Sequence, residues 1–218
     1  MAKLRRVGLP VNAGEAIVFE ALQRELPDDY LILANVNLYQ RQFLPEVDAV
    51  VIHANALFAL EIKDWHGKLE WAGPGNNWVH NGHPIANLYE QTERAAKKLA
   101  NYLRHDKAEE IFGDKRLATS LWVYPVLVIV DPTTDISGVA QVSNVKICHL
   151  SDLPKYLTTS RDKHRYMKFK QQEIEQISAV LGLKMGTTVH LPPSDQAAIS
   201  PALSAASAGQ GESGAATL

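Results

Sequence analysis

The chain lacks several features that would place it in other classes of protein. Its 218 residues include one cysteine, Cys148, so it can form neither an internal disulfide nor a cysteine-based zinc cluster. The longest apolar run, at residues 121–130, is far shorter than the ~20 residues that a membrane-spanning helix needs. The basic amino terminus is not followed by the apolar segment of a secretory signal. We therefore expect a reducing compartment and predict the cytoplasm.

An excess of charge of one sign is also missing. The formal net charge is −2 at pH 7, which neither requires nor excludes nucleic acid, because local patches decide such binding. The glycine-rich residues 73–75 are not followed by the lysine and serine of a P-loop, so we do not expect nucleoside triphosphate binding. With 46% hydrophobic and 21% charged residues, the composition is that of an ordinary globular domain.

Hydrophobic periodicity predicts a mixture of helices and strands. The predicted helices cover residues 14–26, 87–104, a short turn at 152–157, and about 161–183. The predicted strands cover residues 30–38, a hairpin at 47–63, residues 68–71, a small Asn-Gly hairpin at 78–85, and residues 121–130 and 145–150. This order predicts an α/β fold with a mixed central sheet flanked by helices.

The most informative segment is an apolar stretch, residues 49–60, that has charged residues at both ends. It predicts two strands joined by a tight turn at residues 54–55. That turn sets Asp48 opposite Glu61 across an antiparallel pair, with Cβ atoms roughly 5 Å apart. The period of two in a strand then places Lys63 on the same face as Glu61.

A divalent cation would explain this arrangement of charge. Two carboxylates directly opposite each other repel, and a cation between them reverses the sign of the interaction. Mg²⁺ commonly binds one or two carboxylates, while water and substrate phosphate complete its coordination. We therefore predict a metal site on the hairpin, beside the ammonium group of Lys63. The alternative is a surface hairpin in which Glu46 pairs with Lys63 and the acids are solvated.

Further residues, taken in order along the chain, resemble a known family. They are Gly14-Glu15 at the start of the first predicted helix, Glu46-Val47-Asp48-Ala49-Val50-Val51, the run from Leu57 through Glu61-Ile62-Lys63-Asp64-Trp65-His66-Gly67, and Gln91 in the next helix. Together they resemble the nuclease-related domain (NERD) family of the PD-(D/E)XK nuclease superfamily, over about residues 12–130. One departure is Ala49, where the family often has histidine.

The resemblance implies a fold, a chemistry and a set of site residues. It implies a restriction-endonuclease-like αβββαβ core that hydrolyses phosphodiester bonds with Mg²⁺ or Mn²⁺. Glu15, Asp48 and Glu61 would be metal ligands. Lys63 would orient or activate the attacking water, and Gln91 would point at the same site from the following helix. The implied substrate is nucleic acid, DNA in preference to RNA, in processing, repair or defence.

Binding of nucleic acid requires basic residues that neutralise phosphates. The candidates, on the second and last predicted helices, are Lys97, Lys98, Arg161, Lys163, Arg165, Lys168 and Lys170. The same side chains are equally compatible with a solvated helix face. No base-reading motif is present, so sequence-specific recognition is not expected.

We predict a nuclease-like domain over residues 1–186 and a flexible tail or linker over residues 187–218. The tail is rich in Ala, Ser and Gly and has few bulky groups with which to form a core. It is also compatible with a connection to a further carboxy-terminal domain or a partner protein. Two functions stay open: a metal-dependent nuclease, and a weakly active or inactive nuclease-like module that binds nucleic acid or a partner. Lys63 beside two acids favours the nuclease.

Overall fold

The computed structural model describes residues 1–7, 12–38, 46–113, 121–141, 144–160 and 168–182. The chain divides into two compact units, Met1–Met185 and Gly186–Leu218, and all described residues belong to the first. The predicted tail at residues 187–218 lies outside the described residues, so the domain boundary at residue 186 stays a prediction.

The described residues form both strands and helices. The strands are β1 (Lys3–Arg6), β2 (Leu31–Asn37), β3 (Glu46–His53), β4 (Ala56–Lys63), β5 (Lys68–Trp71), β6 (Trp78–His80), β7 (His83–Ile85), β8 (Val123–Ile129), β9 (Asp135–Val139) and β10 (Lys146–His149). The helices are α1 (Ala13–Glu25), α2 (Leu88–Asn101), α3 (Ala108–Phe112), α4 (Leu153–Ser160) and α5 (Gln171–Gly182). A π-helical turn, Tyr102–Asp106, extends α2. Within these ranges no helix is long and apolar enough to cross a membrane.

The central sheet is mixed and has the strand order β1–β2–β3–β4–β8–β10. The β2–β3 and β3–β4 pairs are antiparallel, and the other pairs are parallel. Parallel strands need a long crossover, and the one between β4 and β8 contains α2. The elements α1, β2, β3, β4, α2 and β8 follow the αβββαβ order. The predicted fold class is therefore confirmed.

Helices cover both faces of this sheet. On one face, a core cluster that includes Phe19, Phe58 and Leu157 joins α1 and α4 to the strands. On the other face, a cluster that includes Leu99 and Ile177 joins α2 and α5 to the strands. Burial on both faces explains why the central strands are almost continuously apolar in sequence.

A second sheet, in the order β7–β6–β5–β9, is built around aromatic side chains. Trp71 and Trp78 are buried and stack with ring centroids 5.4 Å apart. The turn between β6 and β7 has positive φ at Asn81 (51°) and Gly82 (82°). This is the backbone that a tight Asn-Gly hairpin turn requires, so the predicted small hairpin is confirmed.

The sequence pattern does not predict β1, β9 or α3. In β1, the side chains of Lys3, Arg5 and Arg6 are exposed and Leu4 is half-buried. The strand lies at an edge of the sheet, where charged residues are common because they discourage pairing with other chains. A strand of this kind carries no alternation of apolar and polar residues from which it could be recognised.

The predicted last helix is wrong at its start. Residues 168–170 are not helical, α5 begins at Gln171, and residues 161–167 lie outside the described residues. The N–H of Phe169 donates to the carbonyl of Ala54 at 2.7 Å, which ties this segment to the β3–β4 turn. The N–H of Lys170 donates to the Glu173 carboxylate at 2.7 Å. This hydrogen bond caps the helix at Lys170, directly after the residue that contacts the turn.

Candidate active site

The β3–β4 ribbon adopts the predicted register but ends one pair early. The paired residues are His53 with Ala56, Ile52 with Leu57, Val51 with Phe58, Val50 with Ala59 and Ala49 with Leu60. The next step would set Asp48 opposite Glu61, and this pair is not part of the ladder. Glu61 instead continues beside β8, opposite Leu127. The two acids therefore stand where β3 and β4 separate.

Asp48 interacts with the backbone at this point of separation. The N–H of Ile62 donates to Asp48 Oδ2 at 2.7 Å. In a continued ladder this N–H would be directed at the carbonyl of Val47, because hydrogen-bonded pairs alternate from the turn. The Asp48 side chain thus competes with the ladder at its end, and the hydrogen bond holds the carboxylate between the two strands.

Glu61 is the centre of the polar cluster. Its Oε1 accepts a hydrogen bond from Lys63 Nζ at 2.7 Å and another from Gln91 Nε2 at 2.7 Å. The side chain of Glu61 is 7% exposed and that of Lys63 is 21% exposed, so the ammonium group is the more accessible member of the pair. The alternative of a solvated surface hairpin required Lys63 to pair with Glu46. Lys63 pairs with Glu61 instead.

Helix α2 delivers Gln91 from its amino-terminal end. The side chain of Asn87 caps the helix by accepting a hydrogen bond from the N–H of Glu90 at 3.1 Å, which fixes where the helix begins. Gln91 follows directly and extends its amide to Glu61. The structure therefore brings together Asp48, Glu61, Lys63 and Gln91, as the resemblance implied.

Helix α1 delivers Glu15 to the same region. Glu15 is 4% exposed. Asn12 Nδ2 donates to its Oε1 at 2.8 Å, and Asn35 Nδ2 donates to its Oε2 at 2.6 Å. Asn12 also accepts the N–H of Glu15 as the helix cap, at 3.0 Å. Two amide donors therefore hold this buried carboxylate in a fixed orientation.

Gly14 permits the close approach of α1 to the end of β4. A Cβ atom at position 14 would lie 2.6 Å from Asp64 Cβ, closer than two carbon atoms can pack. Any larger residue would push the first turn of α1, and Glu15 with it, away from the strands. Glycine is therefore required for steric reasons at position 14, directly before Glu15.

The environment raises the pKa of Asp48 from its ordinary value of 3.8 to about 7. Burial is the largest cause, and the neighbouring charges of Glu61 and Glu15 act in the same direction. The hydrogen bond from Ile62 and the charge of Lys63 oppose them. The charges of Glu61, Lys63 and Glu15 all act on the pKa of Asp48, because the four groups lie close together.

The donor set fits a hard cation bound by two carboxylates. The described residues give Asp48 one hydrogen-bond donor, on Oδ2, and give Glu61 two, both on Oε1. The second oxygen of each acid is available, and carboxylate oxygen is what Mg²⁺ prefers. No group of three His, Cys, Asp or Glu in the described ranges is arranged to hold a metal ion, so Glu15 is not gathered with the other two into one ligand cluster. Its predicted role as a direct metal ligand stays a prediction.

The family model for the nuclease-related domain matches residues 10–130, which is more than half of the chain. The chain belongs to the nuclease-related domain family. No curated protein and no solved structure matches it. All five predicted catalytic positions, Glu15, Asp48, Glu61, Lys63 and Gln91, lie inside the nuclease-related domain.

Two of the predicted nucleic-acid-binding residues, Lys97 and Lys98, lie on helix α2. Lys98 lies seven residues after Gln91 on α2, hence on the same face and about 10 Å along the helix. Lys97 is exposed and pairs with Glu93 at 2.9 Å. Both lysines are placed on the helix that borders the site.

Two of the other predicted basic residues, Lys168 and Lys170, lie away from the site. Lys168 and Lys170 flank Phe169, which is bound to Ala54 at the opposite end of the ribbon. Ala54 is six positions after Asp48 along the ribbon, or roughly 20 Å away. Arg161, Lys163 and Arg165 lie outside the described residues. The structure therefore does not support direct contact of Lys168 or Lys170 with a phosphate at the site. For the other three residues such contact stays a prediction.

Two residues at the site, Asn12 and Asn35, were not singled out from the sequence. Asn35 is fully buried in β2, and it is the one polar residue between Leu31 and Val36. A polar side chain within an apolar strand must find a partner inside the protein. That pattern could have identified Asn35, whereas its partner, Glu15, could not be read from the sequence.

Proposed function

We propose that this nuclease-related domain hydrolyses phosphodiester bonds of nucleic acid, DNA in preference to RNA, with Mg²⁺ or Mn²⁺. One observation carries the proposal: Lys63 and Gln91 converge on Glu61 where β3 and β4 separate, with Asp48 beside them. A buried acid needs hydrogen-bond donors for structural reasons alone, but a second carboxylate beside it adds repulsion, and a bound cation would relieve that repulsion.

Asp48 and Glu61 would hold the ion, through the oxygens that their present hydrogen bonds leave available. A bound Mg²⁺ or Mn²⁺ would supply a water of lowered pKa and neutralise the non-bridging oxygens of the phosphate. Glu15, whose charge acts on Asp48, adds negative potential that favours a cation over the empty site. Mg²⁺ usually keeps several waters, so an acid near the ion contributes without direct coordination.

Lys63 would supply the positive charge on the protein side. Its ammonium is anchored by Glu61 and remains partly exposed, so it can turn a second N–H toward a phosphate oxygen or the attacking water. A pre-oriented donor of this kind stabilises charge that develops in the transition state. Gln91 keeps the orientation of Glu61 fixed, because its amide donates to the same oxygen.

A second candidate is a nuclease-like module that binds nucleic acid or a partner and turns over weakly. One observation favours it: the Lys63 ammonium and the Gln91 amide both bind one oxygen of Glu61. Under this alternative Lys63 would neutralise Glu61 permanently. The two candidates differ in cleavage, not in metal binding.

The test is a cleavage assay on supercoiled plasmid, linear duplex, single-stranded DNA and RNA, with Mg²⁺, Mn²⁺ or a chelator. We expect metal-dependent cleavage, strongest on DNA, and a 10²- to 10³-fold loss for Lys63→Ala. The matched control is Lys155→Ala, an exposed lysine on α4. Metal binding without cleavage of any substrate would select the binding module. Equal activity of folded Lys63→Ala would refute the assigned site.

A further inference from the structure

Asn35 occupies an unusual position for its residue type. It lies within β2, is fully buried, and has a φ of 53°. A non-glycine residue in the left-handed region inside a strand is strained by an amount of order 1 kcal/mol. Asn tolerates this conformation better than most residues, but an apolar residue with ordinary strand geometry would be the simpler solution. The strain therefore indicates a specific use of the side chain.

The backbone of β2 turns over at this residue. Ile32 and Ala34 contribute to the core cluster on the α1 face, while Leu33 and Val36 contribute to the cluster on the α2 face. In an uninterrupted strand, residues three apart would face opposite sides. The reversal at Asn35 presents its side chain to Glu15, to whose Oε2 the amide nitrogen donates at 2.6 Å.

Asn35 is also aligned with the other acids across the sheet. The flanking pairs in the β2–β3 ladder are Ala34 with Ala49 and Val36 with Val47. Asn35 is therefore level with Asp48, just as Asp48 is level with Glu61 in the register of β3 and β4. Asn35, Asp48 and Glu61 thus form one row across three neighbouring strands. Helix α1 places Glu15 next to Asn35, at one end of this row.

The second polar atom of Asn35 has no use within the described residues. Its Oδ1 is buried and accepts no hydrogen bond from them. A buried polar atom without a partner costs about 1–3 kcal/mol, so such atoms normally bind an ordered water or a ligand. The nitrogen must face the Glu15 carboxylate, because only an N–H can donate there, so exchanging the two ends of the amide cannot satisfy this oxygen.

We infer that Asn35 is a positioning residue of the proposed metal site, where its amide nitrogen fixes the Glu15 carboxylate and its side-chain oxygen accepts a hydrogen bond from an ordered water. The inference rests on the proposed function. It places the Glu15 carboxylate beside the ion. Asn35 holds one oxygen of this carboxylate and Asn12 holds the other. Partners that orient acids in this way typically change metal affinity 10- to 100-fold when they are removed.

The test is Mn²⁺ binding by titration calorimetry on the full chain, with Asn35→Gly as the main variant. Glycine adopts positive φ without strain, so the substitution removes the amide and keeps the backbone. We expect the dissociation constant for Mn²⁺ to rise 10- to 100-fold. Asn81→Gly is the matched control, since Asn81 also has positive φ but lies in the β6–β7 turn; we expect no change there.

A double variant and a milder variant make the outcome specific. In a Glu15→Gln background, Asn35→Gly should add no further loss, because its effect passes through Glu15. Asn12→Ser keeps an oxygen for the helix cap but removes the second amide donor, and it should weaken Mn²⁺ binding in the same direction even if Asn35→Gly does not fold.

Each result decides a different point. Unchanged Mn²⁺ affinity in Asn35→Gly, or in Asn12→Ser if the former does not fold, would overturn the inference and leave the proposed function intact. Additive losses in the double variant would also overturn it, since Asn35 would then not act through Glu15. A wild-type chain that binds no Mn²⁺ would overturn the proposed function together with the inference.

Discussion

Replacing Asp48 by asparagine should stabilise the metal-free protein at alkaline pH. The Asp48 carboxyl has a pKa of about 7 in the folded protein against an ordinary 3.8. Folding therefore favours its protonated form. The stability that this provides is fully present below pH 3.8 and is lost as the pH rises through about 7, because the folded state binds the extra proton in that window.

The size of the effect follows from the same pKa values. A change from 3.8 to about 7 corresponds to about 4 kcal/mol at 1.36 kcal/mol for each pH unit. Asp48 is partly accessible to solvent, and the site relaxes around a charge, so we expect about half of this, roughly 2 kcal/mol at pH 8. An asparagine keeps an oxygen that can accept the N–H of Ile62, so Asp48→Asn removes the charge without removing the hydrogen bond.

The assay is thermal and urea unfolding in a chelator at pH 5 and pH 8. Asp48→Asn should gain about 2 kcal/mol over the wild type at pH 8, which is roughly 4–8 °C in melting temperature for a chain of this size, and about half as much or less at pH 5. Asp28→Asn, at an exposed carboxylate in the turn before β2, is the matched control and should change little at either pH.

The addition of Mg²⁺ should reverse the order of the two proteins. A cation binds the ionised carboxylate, so it should stabilise the wild type more at pH 8 than at pH 5. At 100 times its dissociation constant a ligand adds about 2.7 kcal/mol, which would offset the advantage of Asp48→Asn. A variant that is no more stable than the wild type at pH 8, or that gains the same stability from Mg²⁺, would refute this reasoning.

Two further predictions follow from steric contact and from charge. Gly14→Ala should destabilise the fold by about 1–3 kcal/mol and weaken Mg²⁺ binding, because its Cβ would lie 2.6 Å from Asp64 Cβ. Adding Asp64→Gly should restore both the stability and the Mg²⁺ binding. A wild-type melting temperature for Gly14→Ala alone would contradict the predicted clash. Lys98→Gln should lower the slope of log binding constant against log salt for duplex DNA by about one. Lys97→Gln, already paired with Glu93, should change the slope less, and equal slopes for all three proteins would exclude phosphate contact by Lys98.

The sequence determined the register of the ribbon because two constraints act together. A side-chain period of two and a two-residue turn allow one pairing that buries both sets of apolar residues. The same reasoning placed Lys63 beside Glu61, which the structure shows. It could not predict that the ladder ends at Ala49 and Leu60, because the end is decided by the competition of the Asp48 side chain for the N–H of Ile62.

The remaining parts of the site depend on contacts between distant segments. Glu15 and Gln91 lie on separate helices, and only the resemblance to the family placed them near the ribbon. The steric role of Gly14 and the hydrogen bond from Asn35 to Glu15 require the packed structure. The predicted last helix includes residues 168–170, which are not helical, because the contact of Phe169 with Ala54 between distant segments holds this stretch outside the helix.

The three acids of the site are compensated to different degrees, and this difference indicates where a cation is needed most. Glu15 lies in the first turn of α1, where the helix dipole favours negative charge, and accepts two amide donors. Glu61 accepts an ammonium and an amide. Asp48 receives a single backbone N–H. Asp48 is therefore the least compensated acid of the site, so a divalent ion bound between Asp48 and Glu61 would gain most of its electrostatic energy from the acid that the protein stabilises least.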